Sequence, residues 1–176
     1  EEAVAWVEND EREPTDQLIA QADHLDFLSA LAAPDRNVKV TSYMGNKYFM
    51  LDFIWKNRPD GAESVLDAFS GGANTAYFFK QKGLAVTAND KLKYPYHVAR
   101  AVVENSTETL SDEEIDRICK SNPEAGSFIV DTFHGYFFTR QILAWLDSAY
   151  ATIQGLTGYK KDLALYALGH TCVQKA

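Results

Sequence analysis

The stretch from Ser64 to Asp90 constrains the fold of this chain more than any other feature. It contains a short apolar run ending in Asp67, a turn of small residues, a helical segment and a second apolar run. We expect the helix over about Thr75 to Lys82 and the second strand over Leu84 to Ala88. Strand, tight turn, helix and strand in this order make one βαβ unit of a parallel sheet. The sequence therefore predicts an α/β fold.

The turn between the first strand and the helix is the candidate ligand site. Its residues have little or no side chain, so that a ligand can approach the backbone closely. They are Ser70, Gly71, Gly72 and Ala73. We expect the amide N–H groups at the start of the helix to point toward that ligand. Asp90 follows Asp67 by 23 positions, about where an acidic residue meets the ribose hydroxyls of a bound nucleoside.

Asp67 indicates which nucleoside fits this turn. A carboxylate at the mouth of the turn repels a pyrophosphate, which argues against NAD and FAD. It attracts the ammonium group of S-adenosylmethionine, which carries no phosphate. The dinucleotide pattern also has glycine at the third turn position, where this chain has Ala73. The alternative is a βαβ crossover with a glycine turn and no ligand.

Composition sets the class of protein. A chain of 176 residues with 46% hydrophobic content is long enough for one domain with a real core. No apolar run is long enough to span a bilayer, and Cys119 and Cys172 are expected to remain reduced thiols. We therefore expect a cytoplasmic protein with no membrane partner and no metal site.

The net charge of −8 is concentrated at the N-terminus. Nine acidic residues and one arginine among the first 30 positions account for all of it, and the remaining chain is balanced. The bulk charge gives no support for nucleic-acid binding, although a local basic face is compatible with a neutral domain.

The periodicity outside the central unit predicts mainly helices. Expected helices cover Tyr48–Trp55, about Val98 to Glu104 with Pro95 in its first turn, a capping-box helix from Ser111 to Lys120, Ile142–Ile153 and Tyr159–Cys172. In the helix over Ile142–Ile153 we expect Leu143, Leu146, Ala149 and Tyr150 to face inward. Phe128–Val130 and Tyr136–Phe138 are predicted as strands or buried loop, with His134 packed between them.

We divide the chain into four parts on this basis. Residues 1–37 form an acidic N-terminal helical arm and residues 38–105 the cofactor-binding core. Residues 106–140 are an insertion or recognition-side region, and residues 141–176 are a helical segment.

Several stretches together resemble the Dam-type (D12 class) DNA adenine-N6 methyltransferases. Tyr43-Met44-Gly45-Asn46-Lys47 is similar to the family's Tyr-x-Gly-x-Lys motif, and Asp67 to Ala73 is similar to its Asp-x-Phe-x-Gly-x-Gly motif. Thr87-Ala88-Asn89-Asp90, followed by Tyr94 and Tyr96, is similar to the Ala-Asn-Asp segment and the tyrosines after it. The resemblance covers about residues 38–176.

The resemblance implies S-adenosylmethionine as cofactor and double-stranded DNA, with a flipped-out target adenine, as partner. It implies a Rossmann-like class I methyltransferase fold, incomplete in this chain. In that reading Asp67 holds the ammonium end, Asp90 the ribose, and the Tyr43–Lys47 segment lies near the methionine end. The backbone from Phe69 through Ser70, Gly71 and Gly72 to Ala73 surrounds the cofactor.

The sequence departs from the family at two places. Ala73 replaces the last motif glycine, which is mild because alanine is small. The catalytic Asp/Asn-Pro-Pro-Tyr/Phe motif is absent, since Asn122-Pro123-Glu124 lacks the second proline and the aromatic residue. We assign no catalytic residue and expect a second segment or chain to carry the motif. The alternatives are an inactive scaffold or DNA-recognition subunit, or a methyltransferase for RNA or a small molecule.

Overall fold

The structure, a computed structural model, describes Val40 and residues 44–175. Strand β1 covers Ser64–Asp67 and strand β2 covers Ala85–Ala88. The helices are α1 (Leu51–Lys56), α2 (Asn74–Gln81), α3 (Lys93–Ala99), α4 (Asp112–Cys119), α5 (Phe128–Phe133), α6 (Arg140–Gln154) and α7 (Gly158–Lys175). A 3-10 turn, Tyr48–Met50, precedes α1, and a π-helical segment, Arg100–Glu104, continues α3.

The predicted βαβ unit is confirmed. β1 and β2 are parallel and paired from Ser64 opposite Ala85 to Asp67 opposite Ala88. The turn and α2 connect them, within a residue of the predicted bounds. Gly83 follows α2 with φ of 86°, a left-handed conformation that favours glycine at a helix end. The local signals were sufficient here because turn, helix and strands are adjacent in the chain.

The two strands present one covered and one open face. Val86 and Ala88 pack against a buried cluster that includes Ala73, Ala76 and Val98. On the opposite face Leu66 is 63% exposed. Within the described part of the chain the sheet has two strands, so both of its edges are unpaired. This is an α/β arrangement, as predicted; a larger Rossmann-like sheet stays a prediction.

The helices form a second core beside the sheet. Ile118 of α4, Leu143 and Ile153 of α6, and Ala164 and Ala167 of α7 are buried together. Helix α7 also reaches the first cluster through Tyr166. It therefore links the helical half of the molecule to the βαβ unit.

A close contact and a buried ion pair fix α7 against α3. A Cβ atom at Gly169 would overlap the ring of Tyr94, so that a larger residue there would force this ring to move. Asp162 of α7 is buried, and its carboxylate lies 2.6 Å from His97 Nδ1 and 3.0 Å from Arg100 Nε. Sequence reasoning missed this cluster because Asp162 and His97 are 65 positions apart.

Three predictions for the region around α5 are wrong. Phe128–Val130 begins a helix and not a strand, because the buried carboxylate of Asp147 accepts hydrogen bonds from the N–H groups of Ile129 and Val130. Tyr136–Phe138 is a turn in which Tyr136 and Phe137 are largely exposed. His134 is exposed rather than packed.

The other helix predictions are confirmed with small corrections. Helix α3 begins at Lys93, five residues before the expected start, and Pro95 does occupy its first turn. The Ser111 capping box is present, with Glu114 Oε2 accepting from Ser111 N–H at 2.8 Å. Tyr150 is 47% exposed and does not face inward, since α6 turns that side to solvent. The predicted arm over residues 1–37 lies outside the described residues.

The sequence analysis also concerned membrane-spanning helices, disulfides and metal sites. No helix in the described part combines the length and apolarity needed to cross a membrane. Cys119 and Cys172 do not form a disulfide. Across Val40 and residues 44–175, no group of His, Cys, Asp and Glu side chains could hold a metal ion.

The carboxylate of Asp147 should be essential for α5. We expect Asp147→Ala to lower the free energy of unfolding by about 1–3 kcal/mol, because two buried N–H groups lose their acceptor. Urea denaturation followed by circular dichroism measures this. Glu124→Ala removes an exposed carboxylate from the loop before α5 and serves as the control, with a change within about 0.5 kcal/mol. Equal effects of the two substitutions would contradict the capping role.

Candidate functional site

The glycine turn crosses the carboxyl ends of both strands. Ser70 N–H donates to the Asn89 carbonyl at 2.9 Å, which ties the turn to the end of β2. Ala73 N–H donates to the Ser70 carbonyl at 2.7 Å and closes the turn. All four residues from Ser70 to Ala73 are buried. The turn is therefore a fixed structure at the sheet edge where open α/β sheets bind ligands.

Asp90 holds the turn from the neighbouring strand. Its Oδ2 accepts from Gly71 N–H at 2.9 Å, and its Oδ1 accepts from Leu92 N–H at 3.0 Å. The Leu92 hydrogen bond, aided by that of Gly71, lowers the pKa of this carboxyl below its usual range. Asp90 is therefore ionised at neutral pH and stabilised by the turn it supports.

Asp67 is placed at the other side of the turn, at the end of β1. Burial raises the pKa of its carboxyl, hydrogen bonds from the N–H groups of Ala76 and Phe69 oppose that rise, and the charge of Asp90 adds to it. The two carboxylates are thus close enough to repel each other. A cation placed near both would relieve that repulsion.

The N–H groups of the turn are used within the protein. For the N–H groups at the start of α2, Ala76 donates to the Asp67 carboxyl, and an orientation toward a ligand stays a prediction. Phe69 N–H donates to the Asp67 carboxyl, and the N–H groups of Ser70, Gly71 and Ala73 donate to other groups of the protein. These donors are satisfied internally because carboxylates and carbonyls from both strand ends surround the turn. A phosphate would meet two negative charges and few available donors, which supports the argument against NAD and FAD.

Ala73 combines a left-handed backbone conformation with a buried side chain. Its φ is 58°, in the left-handed region, which costs a non-glycine residue about 1–2 kcal/mol. Its side chain is fully buried with Val40 and Ala76, and burying one methyl group returns about 0.8 kcal/mol. The positive φ explains why a glycine suits this position, and the burial explains how alanine is tolerated.

The segment that leads into the Tyr43–Lys47 motif begins beside the turn. Val40 N–H donates to Asn74 Oδ1 at 2.8 Å, and Tyr166 OH donates to the Val40 carbonyl at 3.0 Å. Four residues span at most about 15 Å, so Met44 lies within that distance of the start of α2. Further along the chain, the Trp55 ring of α1 packs against Phe79 of α2.

The motif itself is largely open to solvent. Tyr43 lies outside the described residues, and Met44 is exposed. Gly45 has φ of 72° with open space beside it, and its carbonyl accepts from Lys47 Nζ at 3.0 Å. Asn46 Oδ1 accepts from Tyr48 N–H. Gly71 and Asp90 are therefore brought together directly, whereas a contact between Gly45 and either of them stays a prediction.

A cleft of about 380 Å³ opens on the outer side of Asp90. Tyr96 and Arg100 of the α3 region contribute to its lining, and Tyr96 OH accepts from Arg100 Nη1 at 3.1 Å. Tyr94, in contrast, packs against α7. Tyr94 thus supports the fold, whereas Tyr96 lines the same cleft as Asp90. Phe69 is 90% exposed at the other side of the turn.

The hydroxyl of Ser70 provides a test of whether this turn fits a ligand. Ser70 is 8% exposed, and its Oγ has no hydrogen-bond partner within the described part of the chain. Buried polar groups are nearly always paired in proteins, and exceptions cluster at functional sites. An unpaired buried hydroxyl within this turn is consistent with a polar ligand.

The comparisons with known proteins agree with the resemblance. A sequence model of the D12 class N6 adenine-specific DNA methyltransferases matches residues 43–134, slightly more than half of the chain. The chain belongs to this family. The matched region contains the glycine turn, Asp90 and the motif at residues 43–47.

A curated relative extends the match. The chain is 31% identical over 135 residues to the Type II methyltransferase M2.HphI of Haemophilus parahaemolyticus. The aligned region covers 76% of this chain and 40% of that relative, so the chain spans less than half of the length of the protein it matches. No solved structure matches the chain.

The two carboxylates at the turn should affect stability in opposite directions. Because the pKa of Asp67 is raised in the folded state, its ionised form is disfavoured on folding. We expect Asp67→Asn to be more stable than the wild type at pH 7, with the difference disappearing as the pH falls below the ordinary carboxyl pKa. Chemical denaturation at several pH values measures it.

Asp90→Asn is the matched comparison. The pKa of Asp90 is lowered, so its ionised form stabilises the folded state, and that contribution is lost as the pH falls through the folded-state pKa. We expect Asp90→Asn to be less stable than the wild type at pH 7, with the gap closing in acid. The same sign for both variants at pH 7 would contradict the electrostatic description of the turn.

Proposed function

We propose that this chain forms the cofactor-binding part of an S-adenosylmethionine-dependent DNA adenine-N6 methyltransferase. The observation that supports it most is the pair of carboxylates, Asp67 and Asp90, meeting at a buried glycine turn. Their combined charge favours a cationic nucleoside over one that carries a pyrophosphate. Membership of the D12 class and similarity to a Type II methyltransferase support the same reaction.

Each carboxylate retains capacity for a ligand. An ionised carboxylate offers about four lone-pair positions, and backbone N–H groups of Gly71, Leu92 and Lys91 occupy three of them at Asp90. Asp90 would accept from the ribose hydroxyls while Gly71 N–H keeps it in place. Asp67 would face the ammonium end, and the Tyr43–Lys47 segment would lie near the methionine end.

S-adenosylmethionine supplies a transferable methyl group on a positively charged sulfur. The contribution of this chain is to bind and orient it. Asp67 and Asp90 lower the energy of positive charge beside the turn, and their own positions are fixed by N–H groups of the turn. A pre-oriented site of this kind reduces the entropy that must be lost when the target nitrogen approaches.

The DNA-facing and catalytic groups belong to another part of the enzyme in this proposal. The Pro-Pro motif that would hold the adenine amino group does not occur in residues 1–176. A flipped adenine would then be held by a segment in the same polypeptide or in a second one. The family match gives no support to an inactive scaffold or to an RNA or small-molecule methyltransferase.

The choice of cofactor can be tested by calorimetry. We expect S-adenosylhomocysteine to bind the intact protein and NADH not to bind. Asp90→Ala should weaken S-adenosylhomocysteine at least about tenfold, because a charge-assisted hydrogen bond contributes about 1.5–3 kcal/mol. Asp112→Ala, an exposed change at the start of α4, is the control and should leave the affinity unchanged. Binding of NADH without S-adenosylhomocysteine would overturn the cofactor assignment.

The division of labour can be tested by methyl transfer. We expect residues 1–176 alone to leave adenine in duplex DNA unmodified, and activity to return when a segment carrying the Pro-Pro motif is supplied. Mass spectrometry of nucleosides released from the DNA detects N6-methyladenine directly. Robust methylation by residues 1–176 alone would contradict the assignment, and His134 and Asn122 would then be the first residues to substitute.

A further inference from the structure

A second cavity lies at the C-terminal end of α2, whereas the glycine turn lies at its N-terminal end. The volume of this cavity is about 450 Å³, within the range of about 300–1,000 Å³ that small-molecule sites occupy. Lys80, in the last turn of α2, lies six residues after Asn74, about 9 Å along the helix axis. The apolar part of the wall comes from the π-helical segment, α4 and α7, with Ala101, Val102, Ile115 and Leu163. The cavity is therefore separate from the glycine turn and its two carboxylates.

Lys80 brings a positive charge to the wall of this cavity. Its Nζ donates to the Val102 carbonyl at 3.1 Å and to the Asn105 carbonyl at 2.6 Å. An ammonium group has three N–H donors, so one remains for a ligand. Burial lowers the pKa of Lys80, and among the described residues no carboxylate forms an ion pair with it. The charge is therefore partly removed from water without being neutralised, and an anion beside it would stabilise it.

The loop that borders the cavity is ordered by Asn105. Its Oδ1 accepts from the N–H groups of Thr107 and Glu108 at 3.2 and 2.9 Å, and its Nδ2 donates to the Glu108 carbonyl at 2.9 Å. Asn105 is itself buried, whereas Glu108 is exposed. One residue thus fixes both the loop and a carbonyl that holds Lys80. The cavity is formed before a ligand enters, which reduces the entropy lost on binding.

These features together specify the class of ligand. The apolar wall favours a hydrocarbon or aromatic body, and Lys80 favours an anionic group. One cation with one remaining donor suits a monocarboxylate better than a phosphate, whose second charge would lack a partner in a cavity that Glu108 also lines. We propose that the cavity binds a small organic monocarboxylate, with the carboxylate on Lys80 Nζ and the apolar body against the wall. This site is additional to the proposed cofactor site and does not depend on it.

Two matched compounds test the proposal in the intact protein. Phenylbutyrate and phenylbutanol share the same apolar body and differ in the anionic group. NMR titration of the isotope-labelled protein gives the affinity and the location of each compound. We expect phenylbutyrate to bind at least about tenfold more tightly, because the alcohol lacks the hydrogen bond between two charged groups. The backbone amide signals of Lys80, Asn105 and Leu110 should shift, and those of Gly71 and Asp90 should not.

The charge of Lys80 can be tested in the wild type and in a variant. Bound phenylbutyrate should raise the pKa of Lys80, since a carboxylate stabilises the ammonium form, whereas phenylbutanol should leave it unchanged. Lys80→Met keeps a long side chain without the charge and should reduce the affinity for phenylbutyrate to that for phenylbutanol. Lys82→Met is the control, because Lys82 is exposed and does not line the cavity, and this variant should bind both compounds like the wild type. The pKa measurement needs no substitution, so a loss of stability in Lys80→Met cannot hide the answer.

Three results would overturn the inference. Equal affinities of the wild type for the two compounds would mean that Lys80 serves only the carbonyls of Val102 and Asn105. An unchanged pKa of Lys80 at saturating phenylbutyrate would place the carboxylate elsewhere. Absence of phenylbutyrate binding, or amide shifts away from Lys80 and Asn105, would refute the site. These results leave the proposed cofactor site untouched, because calorimetry with S-adenosylhomocysteine tests it separately.

Discussion

The hydrogen bond from Gly71 N–H to Asp90 Oδ2 is the interaction on which the rest of the site depends. It joins the turn after β1 to the residue after β2 and fixes the turn across the carboxyl edge of the sheet. Asp67 acts from the opposite side, where it accepts from the N–H groups of Phe69 and Ala76. The turn is therefore ordered by the two carboxylates that, in the proposed function, attract a positively charged ligand. Replacing either carboxylate would therefore change both the hydrogen bonding of the turn and its charge.

This arrangement places a binding requirement in conflict with folding. Burial and the neighbouring Asp90 charge disfavour the ionised form of Asp67, and the left-handed Ala73 adds backbone strain. The unpaired Ser70 hydroxyl is a third unfavourable feature within seven residues. Such features persist where selection for function maintains them, because selection for stability alone would replace these residues. Their concentration in one turn, beside a sequence typical of D12 class methyltransferases, is the physical basis of the proposal.

Local signals in the sequence predicted the βαβ unit, the Ser111 capping box and the long helices α6 and α7. They failed where distant residues decide the structure. The helix Phe128–Phe133 depends on a hydrogen bond from Ile129 N–H to Asp147, which lies 18 positions later in the sequence. Asp162 pairs with His97, from which it is separated by 65 positions. The glycine turn could be proposed as the candidate site from the sequence because Asp67 to Ala73 are contiguous, and its role stays a prediction. The internal hydrogen bonding of the turn could not be predicted, because the partners of the turn's N–H groups come from both strand ends.

A crystal structure of the intact protein with S-adenosylhomocysteine tests the central claim most directly. The account predicts the ligand at the Ser70–Ala73 turn, with the ribose hydroxyls bonded to Asp90 and the ammonium group near Asp67. The Gly71–Asp90 hydrogen bond should be retained in that complex. A ligand bound elsewhere, or one that displaces Asp90 from Gly71, would contradict it.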